Sequence, residues 1–456
     1  MTRKEIRLNA FEMNCVGHIQ HGLWTHPRDR SVDFNTLGYW QDVARIAERG
    51  LFDGVFIADI VGVYDVYRDS PDPAIAGAVQ IPVNDPTLLV PAMAAVTQHL
   101  GFGVTCNLTW ERPYLFARRM ATLDHLTGGR VGWNIVTGYL DSAARGMGEA
   151  AQPEHDGRYD QADEFLEVSY KLWEGSWDAD AVLRDKASGI YARPDRVRAV
   201  RHAGRHYRVD AIQLSEPSPQ RTPVLYQAGA SARGRVFAAR HAECVFIAAA
   251  DKAQARRLVD DLRRQAAAQG RRPEDMKIFA LRTVVTGRTR AEAEDRFREY
   301  REYASVEGGL AHYSSTTGID FAKYGLDEPI RYERNDANNS AVEAITKNAE
   351  KPWTVRRIIE DLQLGSRQRP LVGSAAEVAD ELQSWVEETG IDGFNLSRTV
   401  SPEWLEDFVD LVVPVLQERG VYKRAYAPGT LREKLFGEGP LLPTRHVGAS
   451  YRRGVA

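Results

Sequence analysis

Tyr226-Gln-Ala-Gly-Ala-Ser-Ala-Arg-Gly-Arg235 is the stretch on which the fold turns. It follows Pro223-Val-Leu225, which with Tyr226 makes a short apolar run expected to be a buried strand. It precedes Val236-Phe-Ala-Ala-Arg-His-Ala242, which reads as a helix. A strand that passes through small residues into a helix start leaves backbone N–H groups free at the positive end of the helix dipole. Such a turn holds an anion, most often a phosphate. Gly229 and Ala230 let the backbone approach a ligand, Ser231 adds a hydroxyl, and Arg233 or Arg235 would add charge. The same residues read equally well as an ordinary β–α turn capped by Ser231. The rest of the chain decides between the two.

Outward from this turn, strands and helices alternate. Strands are expected at Ile6–Phe11, Phe52–Ala58, Gly101–Cys106, Arg130–Val136, Pro223–Ala228, Glu243–Ala249, Lys277–Val285 and Gly393–Leu396. Helices fall between and after them. Those expected include Tyr39–Arg49, ended by Gly50 in a left-handed conformation, and Pro86–His99, with proline in its first turn. Others are Pro113–Leu126, Tyr159–Trp173, Lys252–Gln269, Arg290–Tyr303, Ala375–Glu388 and a closing helix Trp404–Gln417. Eight such units predict an α/β fold, a (β/α)8 TIM barrel taking in residues 1–456 as one domain. The segments 174–222 and 306–372 break the alternation and are expected to be insertions. The second is polar and contains glycines, so it is expected to be irregular and to serve as an active-site lid. Residues 426–456 form a C-terminal extension expected to wrap the surface or a partner subunit.

Composition narrows the class. A hydrophobic share of 43% and a charged share of 27% are those of a globular enzyme, and the net charge of −4 argues against a nucleic-acid surface. The cysteines, Cys15, Cys106 and Cys244, are far apart and lack CxxC spacing, so no disulfide framework is expected. Without an apolar leader or a run of about 18 apolar residues, the expectation is a cytoplasmic protein with no membrane span. No GxGxxG follows a strand, and neither a P-loop nor a GxSxG elbow occurs. His18 and His21, like His202 and His206, lack a third ligand, so no metal is expected.

In a barrel of this kind chemistry sits where the strands end. The first strand leads into Glu12-Met-Asn-Cys-Val-Gly-His18, the second into Ala58-Asp59 and then Tyr64, the third into Thr105-Cys-Asn107. The fourth ends in Asn134-Ile-Val-Thr-Gly-Tyr139 and the fifth in Gln227–Ser231. Amides, hydroxyls and aromatic rings predominate, a composition suited to a large flat heterocycle bonded at its edges and stacked at its face.

Asn9-Ala-Phe-Glu-Met-Asn-Cys-Val-Gly-His18, Val61-Gly-Val-Tyr-Asp-Val-Tyr-Arg68, Gly129-Arg-Val-Gly-Trp-Asn-Ile-Val-Thr137, Glu154-His-Asp-Gly-Arg-Tyr159 and Gln227-Ala-Gly-Ala-Ser231 carry a resemblance. The chain resembles, nearly end to end, the luciferase-like flavin monooxygenases. The branch includes nitrilotriacetate, dibenzothiophene sulfone, dimethyl sulfide and long-chain alkane monooxygenases and a riboflavin lyase. The resemblance implies a barrel that takes reduced FMN from a separate NAD(P)H:flavin reductase and uses O2, through a flavin peroxide, to oxidise a small organic substrate. That substrate is an alkyl sulfide, an alkane or a heterocycle. It also implies a homodimer or homotetramer. Matched position by position, Ala58 and Asp59 border the isoalloxazine, Thr105, Asn134 and Thr137 line its edge, and His155 and Tyr159 reach the ribityl and phosphate region. Ala230 and Ser231 hold the phosphate. His18, Tyr64, Tyr139 and His312 are the candidate catalytic residues; His18 is the first choice for acid–base work because imidazole titrates near neutrality. Tyr139 stands where the alkane enzymes have histidine and the dimethyl sulfide enzyme has tyrosine. Two alternatives stay open: an oxygen-dependent riboflavin lyase releasing lumichrome and ribose, and a non-catalytic flavin-binding protein.

Overall fold

Eight parallel strands close on themselves in chain order: β1 Arg7–Met13, β2 Gly54–Ala58, β3 Gly101–Asn107, β4 Val131–Val136, β5 Val224–Gln227, β6 Cys244–Ile247, β7 Lys277–Gly287 and β8 Gly393–Ser397. Each pairs with the next, and β8 returns to β1 with Arg7 opposite Gly393. This is the expected (β/α)8 barrel. A short strand, Leu371–Ser374, prolongs the sheet along Val284–Gly287 of β7. The structure, a computed structural model, describes residues 4–452 apart from 230, 333–336, 338, 348, 350, 363 and 365–368.

Large and absent side chains alternate inside the barrel. Phe11, Phe56, Tyr226, Phe246 and Phe279 pack together there. Space for them comes from Gly103 and Gly132, where a Cβ would lie 2.7 Å from the Phe56 ring and 2.4 Å from the Tyr226 ring. The strand starts are sealed by the C-terminal extension. Helix Leu431–Phe436 sets Leu431 and Leu435 into this aromatic cluster. Fully buried Arg432 grips Glu243 at 2.7 and 2.9 Å and donates to the carbonyl of Thr222. The extension therefore packs on its own barrel.

Several helices differ from expectation for identifiable reasons. Gly50 is not left-handed (φ −78°); Leu51 takes the positive φ instead, and glycine is needed because a Cβ would lie 2.4 Å from Val409. The helix expected over Pro86–His99 is helical only at Leu89–Ala94, after a tight turn at Pro86–Leu88. Glu48 captures the N–H groups of Gln98, His99 and Leu100, and Arg130 captures the carbonyls of Ala94, Thr97 and Leu100, replacing the helical bonds. The closing helix is interrupted by a wide turn, Phe408–Val412, before Pro414, which has no N–H to give.

The first insertion consists of two hairpins, Val182–Asp185 with Ile190–Ala192 and Val200–Ala203 with Arg208–Ala211. The second is not irregular. Val306–Thr317 is a helix, and with Asn339–Ile345 and Val355–Leu362 it surrounds its own small core of Tyr313, Phe321, Val342 and Ile358. Its polar residues are compatible with a buried helix because their hydroxyls turn back on the backbone. Thr316 and Thr317 donate to the carbonyls of His312 and Tyr313, and Ser314 accepts from the N–H of Phe321. Among the described residues no helix is long and apolar enough to cross a membrane.

Candidate active site

The loop after β1 carries Cys15 and His18 and lies against the segment 78–83. Gly17 exchanges backbone bonds with this segment: its N–H donates to Ala78 O (3.1 Å) and its carbonyl accepts from Gln80 N–H (3.0 Å). A Cβ on Gly17 would fall 2.2 Å from Ala78 O, so only glycine permits the approach. Arg398, directly after β8, pins the same loop by donating to the carbonyls of Cys15 and Val16, while it pairs with Glu12 at 3.1 Å. Both members of that pair are buried. The Cys15 thiol donates to Gly17 O, and burial pushes it up to about 12, so it is a filler and not a nucleophile.

A chain of contacts runs across the barrel mouth from this loop. His18 stands edge-on to Phe11 with centroids 4.6 Å apart. Its carbonyl accepts from Gln80 Nε2 (2.7 Å), and Gln80 Oε1 accepts from the Tyr64 hydroxyl (2.7 Å). Tyr139 OH lies 3.3 Å from Tyr64 OH. The Tyr64 ring stacks on His312 at 5.0 Å, and His312 Nδ1 is 2.9 Å from Nε2 of His21. The four expected residues, His18, Tyr64, Tyr139 and His312, are thus brought together. Gln80, His21, Glu12 and Arg398 join them without having been foreseen as members. Gln80 even holds a left-handed φ of 53°, a conformation that costs about 1 kcal/mol or more and gathers at functional sites. Burial, and after it the charge of Arg398 and the neighbouring imidazoles, hold His18 well below the usual histidine range; burial does the same for His21. Both are neutral at pH 7. Burial lifts Glu12 to about 7 against the pull of Arg398.

The other side of the mouth is built from strand ends. Asn134 Nδ2 donates to Thr105 Oγ1 across β3 and β4 (2.9 Å), while its Oδ1 is buried with no partner among the described residues. Asn395 Oδ1 and Ser397 Oγ on β8 share that condition. The carbonyl of Thr137 accepts from Thr109. Asp59, one residue past Ala58, has its carboxyl raised to about 7 by burial, with Asp85 adding repulsion.

Beyond β5, Ser231 caps helix Ala232–His241 by accepting from Gly234 N–H at 3.0 Å. Tyr159 reaches over this turn from helix His155–Gly175, where its hydroxyl bonds Ser231 and Gln227. A Cβ on Gly229 would sit 2.9 Å from that hydroxyl, so the cradle is lined by backbone. His155 packs on Tyr159 with centroids 5.4 Å apart and bonds Asp156. Ala230 lies outside the described residues. The charge expected from Arg233 and Arg235 is already spent: Arg233 pairs with Asp160 and Asp163, and Arg235 with Asp261. Any anion here is held by backbone N–H groups and hydroxyls.

An open cleft of about 500 Å³ lies elsewhere, lined by Glu164, Lys171, His202 and Tyr451. Its walls are helix and hairpin residues and not strand ends, so the chemistry is assigned to the barrel mouth. Among the described residues no group of three or more His, Cys, Asp or Glu side chains converges as metal ligands. The mouth therefore offers a buried amide oxygen, hydroxyls and a turn that opens a helix on one wall. Phenols, an amide and neutral imidazoles form the other.

Comparison with known proteins agrees with this geometry. Residues 13–393 match the family described as luciferase-like monooxygenase. The chain is 50% identical over 453 residues to a dimethyl-sulfide monooxygenase of Hyphomicrobium sulfonivorans, covering 99% of this chain and 94% of that one. It is also 50% identical over 450 residues to a long-chain alkane monooxygenase of Geobacillus thermodenitrificans, covering 98% of each. A solved riboflavin lyase, with modified FMN and riboflavin, superposes with a TM-score of 0.93 at 37% identity, over 99% of this chain and 100% of that one.

Proposed function

Because the chain belongs to the luciferase-like monooxygenase family, we propose that this oxidoreductase is the FMN-dependent oxygenase of a two-component system. Reduced FMN, when bound, supplies the two electrons with which O2 gives one oxygen atom to an organic substrate and the other to water. The observation that carries the reading is Asn134: a buried amide oxygen without a partner is costly unless a ligand N–H completes it. Thr105, bonded to Asn134, and Thr137, just past β4, would meet the edge of the ring, and Ala58 and Asp59 its face. Tyr159, His155, Ser231 and the backbone around Gly229 take the ribityl chain and phosphate. No GxGxxG follows a strand, so reduced flavin arrives from a separate NAD(P)H:flavin reductase.

The substrate meets the opposite wall. Tyr64, Tyr139, Gln80 and the two buried imidazoles, His18 and His21, are neutral, and Arg398 is engaged with Glu12 and the loop carbonyls. Burying an anion there would cost several kcal/mol, so a polycarboxylate is disfavoured and a neutral alkyl sulfide, alkane or heterocycle is favoured. Helix Val306–Thr317, which carries His312, covers this wall against water. The same reading makes the chain a homodimer or homotetramer, which light scattering tests.

The deciding experiment supplies enzymatically reduced FMN, 18O2 and a panel of dialkyl sulfides, alkanes and riboflavin, with products read by mass spectrometry. One 18O atom in a sulfide or alkane product, formed only when the reductase is present, is expected. Reduction of bound FMN by NADH without a reductase overturns the two-component reading. Lumichrome and ribose from riboflavin would favour the lyase alternative, to which the likeness to the solved riboflavin lyase lends support.

A further inference from the structure

A hydrogen bond between two imidazole nitrogens holds one proton between them, and the choice of donor fixes where the remaining protons lie. Nε2 of His21 and Nδ1 of His312 are 2.9 Å apart. Their register is set by tertiary structure. Ser305 N–H donates to the carbonyl of His21 at 2.8 Å at the start of helix Val306–Thr317, and Gly308 of that helix brings its backbone against the His21 side chain. Tyr64 stacks on the far ring and keeps it in plane.

Two proton arrangements satisfy the distance. If His312 donated, His21 would accept at Nε2 and hold its own proton on Nδ1. That atom is buried and has no partner among the described residues. An orphaned buried N–H is among the rarest features of native proteins. If His21 donates, its Nδ1 carries only a lone pair and no proton is orphaned. We propose that His21 is a positioning residue whose Nε2–H fixes His312 in the tautomer with its proton on Nε2, so that His312 works as a hydrogen-bond donor and not as a general base. The consequence for substrate rests on the monooxygenase reading given above; the tautomer itself does not.

Ring-15N-histidine labelling of the full chain tests this, since protonated and bare ring nitrogens differ widely in chemical shift and an N–H···N bond transmits an N–N coupling. The expected pattern is a coupled pair with His21 Nε2 protonated and His312 Nδ1 bare. The reverse pattern, or two uncoupled rings, overturns the proposal. His21→Ala is expected to leave His312 as a mixture of tautomers and to lower coupled product formation about tenfold or more, a fraction of what acid–base groups contribute. His21→Gln, whose amide can donate in the same place, is expected to restore the His312 Nε2–H signal and most of the activity. Loss of activity in both variants with an unchanged His312 signal would also overturn it. If His21→Ala does not fold, the wild-type spectrum decides alone. The expected tautomer with no product from any substrate would refute the monooxygenase reading and leave this inference standing.

Discussion

Ser231 uses one hydroxyl twice. Its oxygen accepts from Gly234 N–H and caps a helix, while its hydroxyl also bonds Tyr159, a bond that a phosphate in the turn would replace. Ser231→Ala is therefore expected to cost about 1 kcal/mol of stability through the lost cap and about 1–2 kcal/mol of FMN affinity through the lost donor. Riboflavin, which has no phosphate, should bind almost unchanged. Fluorescence titrations with both flavins and a thermal melt separate the terms; equal losses for the two would move the phosphate away from Ser231. At this scale the sequence can point only to residues near or just past strand ends, such as Asp59, Thr105, Asn134 and Tyr139. Gln80 and Arg398, which the structure sets beside them, carry no such signal. A glutamine in a turn and an arginine past the last strand have no spacing signature, and their place is set by buried bonds to residues far away in the chain.

Helix Val306–Thr317 lies tightly on the loop after β1. A Cβ on Gly308 would fall 2.8 Å from the Cβ of His21, with no flexible end to yield. Gly308→Ala should push helix and loop apart, lowering stability by about 1–3 kcal/mol. The expected functional mark is uncoupling, with reduced-flavin oxidation preserved while product falls, because the wall no longer excludes water. Unchanged melting and unchanged coupling would show that the helix does not hold the loop. Elements with a strong period were read to within a residue or two, as with Pro113–Thr127 and Arg290–Tyr303. The helix begun at Pro86 was over-extended because Glu48 and Arg130, from other parts of the barrel, replace its last hydrogen bonds. No local pattern announces such competition.

Over the whole molecule, the C-terminal extension is fastened by groups that acid should release. His446 is buried, its Nε2–H donates to the carbonyl of His241 (2.9 Å), and its Nδ1 accepts from Gly448 N–H (3.0 Å). Burial holds it well below the ordinary histidine value, and protonation of Nδ1 would break the second bond. The unfolded chain therefore binds a proton near pH 6.5 that the folded chain refuses. The stability present above that pH is lost as pH falls, by ~1.4 kcal/mol per unit until the folded value is reached. Urea unfolding between pH 7 and 5 should show a correspondingly shallower loss in His446→Gln than in wild type. Equal slopes would mean that His446 does not titrate with unfolding.

What the sequence determined by itself is the order of the molecule. Eight apolar runs alternating with helical periods admit a closed parallel barrel, and closure alone sends every strand end to one face. That placed the candidate residues of five strands together before any distance was known. The tertiary structure decided which of them touch and in what state. Arg233 and Arg235 were drawn away to carboxylates on neighbouring helices. A polar insertion became a buried helix, and His21 met His312 across 291 positions of chain. The physical reason is one of range. Periodicity and turn chemistry act over a few residues and survive in a linear reading. Burial, desolvation and the pairing of polar groups depend on which distant segments meet, and those contacts exist only once the barrel has closed.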